Sequence, residues 1–177
     1  MTDPERTPRP WSVADALPAG SCVVFRHFGA NDAAETAERL RAVTRDRGVL
    51  LLIGQDADLA DRVGADGVHL AERDLGRAAD LRRQAPDWLL TGAMHGEVAA
   101  VDGLDALVMS PVFAAGGASA VRAPLGVETF AARVERAPLP VYALGGITAA
   151  NVGQLAASGA CGIAGVAAIR EAFMAST

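Results

Sequence analysis

The sequence predicts an α/β fold of the (β/α)8 TIM-barrel class in which the first strand is truncated. Short apolar runs alternate along the chain with amphipathic segments, and this alternation is typical of right-handed βαβ crossovers in a parallel sheet. Seven strand–helix units can be counted, whereas a closed barrel needs eight strands. The missing strand would have to precede the first predicted helix, where only residues 1–3 are available. An open, doubly wound sheet is the alternative architecture.

The individual elements follow from periodicity. Within residues 32–47, Ala37 and Leu40 lie at helical spacing, and Asn31 or Asp32 is a suitable N-cap. The predicted strands span residues 21–26, 49–53, 67–70, 88–91 and 106–109, with one more in each of the segments 140–148 and 159–169. The predicted helices span residues 11–17, 32–47, 56–63, 74–84, 95–101 and 127–136, and residues 114–124 form a Gly/Ala-rich loop.

Size and composition limit the class of protein. A chain of 177 residues, 51% of them hydrophobic, predicts one domain over residues 1–177 with a substantial core. No apolar run approaches the roughly 18 residues of a membrane span, and the proline-rich residues 1–10 contain no signal-peptide core. We therefore expect a cytoplasmic protein without membrane contact. The net charge of −5 disfavours nucleic-acid binding, which needs a basic surface.

Two residue types narrow the chemistry. All 16 basic residues are arginines, so catalysis through a lysine Schiff base is excluded for this chain. A compositional bias of the genome is an alternative reason for the missing lysines. Cys22 and Cys161 both lie in apolar runs, which predicts two buried free thiols rather than a disulfide or a metal pair.

The segments 140–148 and 159–169 carry the clearest functional signal. Each is an apolar run long enough for one buried strand, and each ends in small residues that open a helix. Unpaired N–H groups and the positive dipole end make a helix N-terminus suitable for a phosphate. Gly145 and Gly146 have no Cβ, so an anion can approach their main chain closely. The sequence therefore predicts a phosphate site where the last two strands end.

Four motifs in order carry a family resemblance. They are residues 64–70 (GADGVHL) with Asp74, residues 110–113 (SPVF), residues 144–147 (LGGI) with Asn151, and residues 159–169 (GACGIAGVAAI). From Trp11 onward the chain resembles the thiamine-phosphate synthase/TenI family of phosphate-binding (β/α)8 barrels. Residues 1–3 resemble the end of the first strand of that family.

The resemblance implies a reaction whose ligands are only partly present here. Thiamine-phosphate synthases join a pyrimidine pyrophosphate to a thiazole phosphate with Mg²⁺ assistance. Arg26 and the second metal carboxylate, Asp74, match the family, but the first metal carboxylate is replaced by Gln55. Of the two pyrophosphate lysines, one is replaced by Phe28 and the other by Ala118. These losses favour a TenI-like protein without efficient pyrophosphate displacement, although the acid/base histidine of the TenI branch is also replaced, by Pro111.

The resulting site prediction has three parts. The catalytic candidates are His69, His95 and Arg26; the phosphate-binding candidates are Gly145, Gly146, Val166 and Ala167; the metal candidate is Asp74.

Structural roles compete with several of these assignments. His69 would serve equally as a barrel-lining residue with one hydrogen bond, while His95 and Asp74 would serve as helix caps. Glu72 or Asp56 would be a substitute metal ligand, and Arg122 would replace a lost lysine from its loop.

Three functions remain open at this point. The first is a TenI-like isomerase acting on a small phosphorylated heterocycle without a cofactor. The second is a thiamine-phosphate synthase, a transferase, that uses Mg²⁺ with reassigned ligands. The third is a non-catalytic barrel that binds a phosphorylated metabolite. A homodimer is one expected consequence of the strand edges that a truncated first strand would leave exposed.

Overall fold

A computed structural model describes residues 1–97, 101–115 and 122–174. Its centre is a curled sheet of seven parallel strands in the order β1 to β7, so every strand pairs with its sequence neighbours. The strands are β1 Cys22–Phe25, β2 Leu50–Gly54, β3 Gly67–Leu70, β4 Leu89–Met94, β5 Ala106–Met109, β6 Val141–Ala143 and β7 Gly162–Ile163. The predicted alternation of strands and helices in a parallel sheet is confirmed.

Six α-helices and two 3₁₀-helices lie before, between and after the strands of the described residues. The α-helices are α1 Pro10–Ala16, α2 Ala33–Arg47, α3 Ala57–Val63, α4 Ala78–Gln84, α5 Gly126–Arg136 and α6 Ala167–Met174, and the 3₁₀-helices are Glu72–Arg77 and Val152–Leu155. The predicted stop of α3 is present, because Gly64 adopts a left-handed φ of +61° at its C-cap. Asp56 caps the other end of α3 and accepts a hydrogen bond from Leu59 N.

Three predicted helices differ from the structure. Of the predicted helix 95–101, residues 95–97 form a bend, residue 101 is coil and residues 98–100 lie outside the described ranges. The bend has a physical cause, because Glu72 Oε1 accepts hydrogen bonds from the N–H groups of both His95 and Gly96. The predicted helix 74–84 begins instead with the 3₁₀-helix Glu72–Arg77, and no α-helix follows Gly146 directly, where the chain forms only the 3₁₀-helix Val152–Leu155.

Alternate residues of the strands contribute to two apolar layers. One set, including Ile53, Leu70 and Met109, is fully buried with Leu40 and Phe130 of the helices in a single cluster. The other set faces the concave side of the sheet and is buried outside that cluster: Val24, Leu52, Ala106 and Val108. Successive side chains of a strand point to opposite faces, so a strand that is covered on both faces reads as a continuous apolar run.

An open seam separates the first and last strands. Within the described residues β1 and β7 each pair with one strand only. Met1 and Thr2 lie across the top of the seam, where Thr2 N donates to Val24 O (2.9 Å) and the Met1 α-amino group donates to Gly165 O (2.8 Å). Burial, with the nearby Arg26 charge, lowers the pKa of the Met1 amine to about 5. An apolar cavity of about 410 Å³ opens along the seam.

The seam also corrects the prediction for the cysteines. Cys22 and Cys161 are free as predicted, but both are exposed. Cys22 begins the edge strand β1, and Cys161 immediately precedes the edge strand β7. The apolar runs around these residues therefore indicate strands correctly, whereas burial depends on a neighbouring strand that the sheet does not supply here.

Candidate functional site

A polar cavity of about 480 Å³ lies at the carboxyl ends of the first three strands. This is the edge at which the loops of a parallel α/β sheet place their functional side chains. The residues that line it include Arg26, His27 and Phe28 after β1, Gln55 and Asp56 after β2, His69 on β3, and Arg77 in the first 3₁₀-helix. Two of the predicted catalytic residues, Arg26 and His69, are thus brought together.

His69 is a neutral hydrogen-bonding group in this cavity. Its side chain is 6% exposed, and its Nδ1 atom lies 2.9 Å from Thr91 Oγ1 on the adjacent strand. Burial, reinforced by the positive charge of Arg26, lowers the pKa of His69 to about 3. The imidazole is therefore uncharged near neutral pH, so it can polarise or orient a ligand but does not supply an imidazolium acid.

Arg26 is the cationic group of the cavity that the chain holds most firmly. Its Nε donates to Thr2 O (2.8 Å), and its backbone N–H donates to Thr2 Oγ1 (2.8 Å). Burial lowers the pKa of Arg26, but a guanidinium remains charged in proteins. No described residue accepts a hydrogen bond from its two terminal nitrogens, so these donors are available for an anion.

His95 does not line this cavity. Its Nδ1 lies 2.8 Å from the Ser110 carbonyl oxygen and 3.2 Å from Ser110 Oγ. Because a carbonyl can only accept, we infer that Nδ1 carries the proton and that Nε2 is the free acceptor. Arg133 holds the same bend by donating to the carbonyl oxygens of His95 and Gly96.

The carboxylates do not assemble a metal centre. Asp74 Oδ2 lies 3.5 Å from Arg73 Nε, and Asp56 caps α3 with its Oδ2 only 3.6 Å from His27 Nε2. Burial would raise the pKa of Glu72, but its hydrogen bonds from two N–H groups lower the pKa overall. Over residues 1–97, 101–115 and 122–174, no group of three or more His, Cys, Asp or Glu side chains is arranged to hold a metal ion.

The glycine corner, which we define as Gly145 and Gly146 with Val166 and Ala167, is built from main chain. Gly145 and Gly146 have φ values of +100° and +65°. A Cβ would lie 2.7 Å from Pro111 Cα at Gly145 and 2.3 Å from Ala114 O at Gly146. Close packing against the segment after β5 therefore demands both glycines, a reason that the sequence did not reveal.

The amide groups of the glycine corner are available for an anion. Within the described part of the chain, the N–H groups of its four residues donate to no protein acceptor. The turn is fixed by Asn151, whose Nδ2 donates to Gly146 O (2.8 Å) and whose Oδ1 accepts from Thr148 N (2.8 Å). Neither glycine lines the polar cavity, so the predicted site is divided between two places on the sheet edge.

Residues outside the predicted site also differ in whether they line the polar cavity. Arg77 and Gln55 line the polar cavity. The resemblance places Gln55 at a ligand position of the family, whereas no sequence pattern predicts Arg77 as a contact, because it lies in a 3₁₀-helix. Arg122 is exposed and helps to lower the pKa of Glu72, but it does not line the cavity. Ala118, at the position of a lost lysine, lies outside the described residues.

No described helix is long and apolar enough to cross a membrane. This finding agrees with the absence of a long apolar run in the sequence.

Comparison with known proteins gives consistent results. A family model described as thiamine monophosphate synthase matches residues 2–169. A thiamine-phosphate synthase from Methanoculleus marisnigri is 37% identical over 143 residues, which are 78% of this chain and 67% of the relative. One from Chloroflexus aurantiacus is 34% identical over 161 residues, or 87% of this chain and 74% of the relative. The solved structure of a thiamine phosphate pyrophosphorylase from Pyrococcus furiosus has a TM-score of 0.81 at 27% identity, covering 97% of this chain and 89% of that one.

Proposed function

This chain belongs to the thiamine monophosphate synthase family, and on that premise we propose that it binds a small phosphorylated heterocycle of the thiazole type. It acts as a TenI-like barrel without efficient displacement of pyrophosphate. The observation that carries the proposal is the pair of anion-binding elements on one sheet edge. One is the Arg26 guanidinium with its free terminal nitrogens, and the other is the set of unpaired N–H groups at Gly145, Gly146, Val166 and Ala167.

The seven-stranded sheet corresponds to a barrel that lacks most of one strand. We propose that residues 1–177 form one barrel domain of eight strand positions, in which Met1 and Thr2 represent the first strand. The hydrogen bonds from Thr2 N to Val24 O and from the Met1 α-amino group to Gly165 O support this, because they connect β1 with the residues that follow β7. A homodimer through the remaining exposed edges stays a prediction, which sedimentation or light scattering of the purified protein would test.

The carboxylates argue against chemistry that requires full neutralisation of a pyrophosphate. Asp74 and Asp56 are engaged with Arg73 and with the start of α3, respectively. Mg²⁺ is usually held by one or two carboxylates together with waters and substrate phosphates, and Asp74, the carboxylate that matches the family, does not line the polar cavity. What the cavity retains is the fixed guanidinium of Arg26, the guanidinium of Arg77 and a neutral imidazole at His69, which suits binding or isomerisation of a monophosphate.

The direct experiment is to incubate the purified protein with a carboxythiazole phosphate and follow isomerisation by NMR. Turnover that is lost in the Arg26→Met variant would support the proposal. An absence of turnover with folded protein, together with tight phosphate binding, would instead support a non-catalytic barrel. Such a barrel would show thermal stabilisation by the ligand, by RT ln(1 + [L]/Kd), with no product formed.

A second candidate function is a genuine synthase, which the names of the relatives support. Both relatives described above bear the name thiamine-phosphate synthase at 34–37% identity. In that case Asp74, Glu72, Asp56 and Arg26 would have to serve as reassigned ligands for the metal and the pyrophosphate. Complementation of a thiamine auxotroph decides between the two: growth supports the synthase, and failure with a well-expressed protein rejects it.

A further inference from the structure

Phe28 is an apolar residue whose side chain is not buried in the core. It follows β1 and lines the polar cavity, yet it is 66% exposed, the highest value among the large exposed apolar side chains of the described residues. Burying a phenylalanine side chain in a core is stabilising, and this chain forgoes that contribution at Phe28. The position of Phe28 therefore has no explanation in core packing.

The backbone at Phe28 is strained as well. Its φ of +52° lies in the left-handed region, where a bulky residue is a genuine outlier. Among the described residues only one other non-glycine has a positive φ, Gln55 at +67°, and it lines the same cavity from the end of the neighbouring strand. Strained residues of this kind cluster at ligand-binding sites.

Local hydrogen bonds hold Phe28 in this conformation. The N–H of Gly29 donates to His27 Nδ1 (3.0 Å), and the N–H of Ala30 donates to the His27 carbonyl oxygen (3.0 Å). The turn around Phe28 is thus fixed on both sides, and its ring is presented at the cavity mouth.

The ring lies beside the cationic group of the cavity. The Arg26 Cζ atom is 5.5 Å from the centroid of the Phe28 ring, within the range of a cation–π contact. Arg26 Nε is anchored to Thr2 O, so the guanidinium is held over the ring. The aromatic face and the positive charge are therefore neighbours at one side of the cavity.

We propose that Phe28 is a specificity-determining residue that stacks on the planar ring of the ligand while Arg26 binds its phosphate. This inference rests on the proposed function, and it adds the residue that recognises the ring of the phosphorylated heterocycle. Phe28 recognises the ring, and the charge of Arg26 recognises the anion.

The test measures the binding of three probes by isothermal titration calorimetry: thiamine monophosphate, thiamine and inorganic phosphate. Phe28→Leu keeps an apolar side chain but removes the aromatic face, and Phe28→Trp keeps an aromatic face. Phe173→Leu is the matched control, because Phe173 is also partly exposed (37%) but lies on α6 outside the polar cavity. Circular dichroism and thermal unfolding check that each variant is folded.

We expect Phe28→Leu to lower the affinity for thiamine monophosphate and for thiamine about five-fold, because an aromatic pair contributes about 0.5–1.5 kcal/mol. Inorganic phosphate should bind unchanged, Phe28→Trp should retain affinity for all three probes, and Phe173→Leu should have no effect. An equal loss of affinity for all three probes would overturn the proposal, because Phe28 would then act only by positioning Arg26. An unchanged affinity for the ring-bearing probes, or no binding of them by the wild type, would also overturn it.

The two proposals fail in different ways. If the wild type binds thiamine in a Phe28-dependent manner but binds no inorganic phosphate, the stacking role stands and the phosphate site of the proposed function falls. If inorganic phosphate binds but the rings add nothing to affinity, the phosphate site stands and the stacking role falls.

Discussion

The polar cavity at β1–β3 and the glycine corner at β6–β7 lie on the same edge of the sheet but are built from different parts of the chain. The cavity presents side chains, chiefly Arg26, Phe28 and His69. The corner presents main-chain N–H groups on glycines whose positive φ and close packing leave no room for a Cβ. A side-chain contact can be exchanged by one substitution without moving the backbone, whereas a main-chain contact can be removed only by reshaping a turn.

That difference explains how family features are distributed in this protein. At the cavity, Phe28 and Gln55 stand where the family places a lysine and a metal carboxylate. At the corner, Gly145 and Gly146 stand as the family has them. We therefore expect the side chains that remain to define what the cavity recognises, and the main chain of the corner to bind anions more generally.

The largest expected effect is at the corner. Gly146→Ala would place a Cβ 2.3 Å from Ala114 O on a residue with φ of +65°. Left-handed strain and overpacking together should lower the free energy of unfolding by at least about 2 kcal/mol. Urea unfolding measures the change. Gly153→Ala is the control, because a Cβ there meets nothing within 4 Å, and it should be neutral or slightly stabilising.

A Gly146→Ala protein with wild-type stability would show that the corner rearranges easily. The main chain of the corner would then be as tolerant of substitution as the side chains of the cavity.

The next effect concerns acid stability and His69. Its pKa is about 3 in the folded state against an ordinary value of 6.5, so between these values the unfolded chain binds more protons than the folded one. The free energy of unfolding therefore decreases as the pH falls below 6.5, by about 2 kcal/mol between pH 7 and pH 5. His69→Gln should remove this part of the pH dependence, as measured by urea unfolding at both pH values. Equal pH dependence in both proteins would mean that His69 is not buried as a neutral group.

The third prediction asks which region holds a phosphate. Arg26→Met removes the fixed guanidinium and should weaken the binding of inorganic phosphate about ten-fold, since hydrogen bonds to a charged group contribute about 1.5–3 kcal/mol. Arg39→Met is the matched control, because Arg39 lies over the Trp11 ring outside the cavity. Unchanged affinity in Arg26→Met would assign the anion to the glycine corner alone.

The smallest expected effect is at Asp74. Because its carboxylate pairs with Arg73 and no described metal-binding cluster includes it, Asp74→Asn should leave phosphate binding unchanged with or without added Mg²⁺. Calorimetry in magnesium and in chelator measures this. A magnesium-dependent gain in affinity that disappears in Asp74→Asn would revive the metal assignment and the synthase function.

Much of the fold was predictable from the sequence because its signals are local. Apolar runs such as residues 49–53 and 67–70 predict strands, and Gly64 ends α3 through its own backbone preference. The helix predicted over residues 95–101 was wrong at its described ends, because Glu72, distant in sequence, captures the N–H groups of His95 and Gly96. No local pattern records that contact.

The candidate site was predictable in its residue types but not in its arrangement. The sequence alone determined the order of strands and helices, the absence of lysine chemistry, the resemblance to the family and the presence of the glycine pair. Only the tertiary structure decided that Arg26 and His69 share a cavity, that His95 faces Ser110 instead, that Cys22 and Cys161 are exposed at an open seam, and that Phe28 is held strained at the cavity mouth. The physical reason is that local propensity acts over a few residues, whereas burial, pKa and convergence of side chains depend on which strands become neighbours.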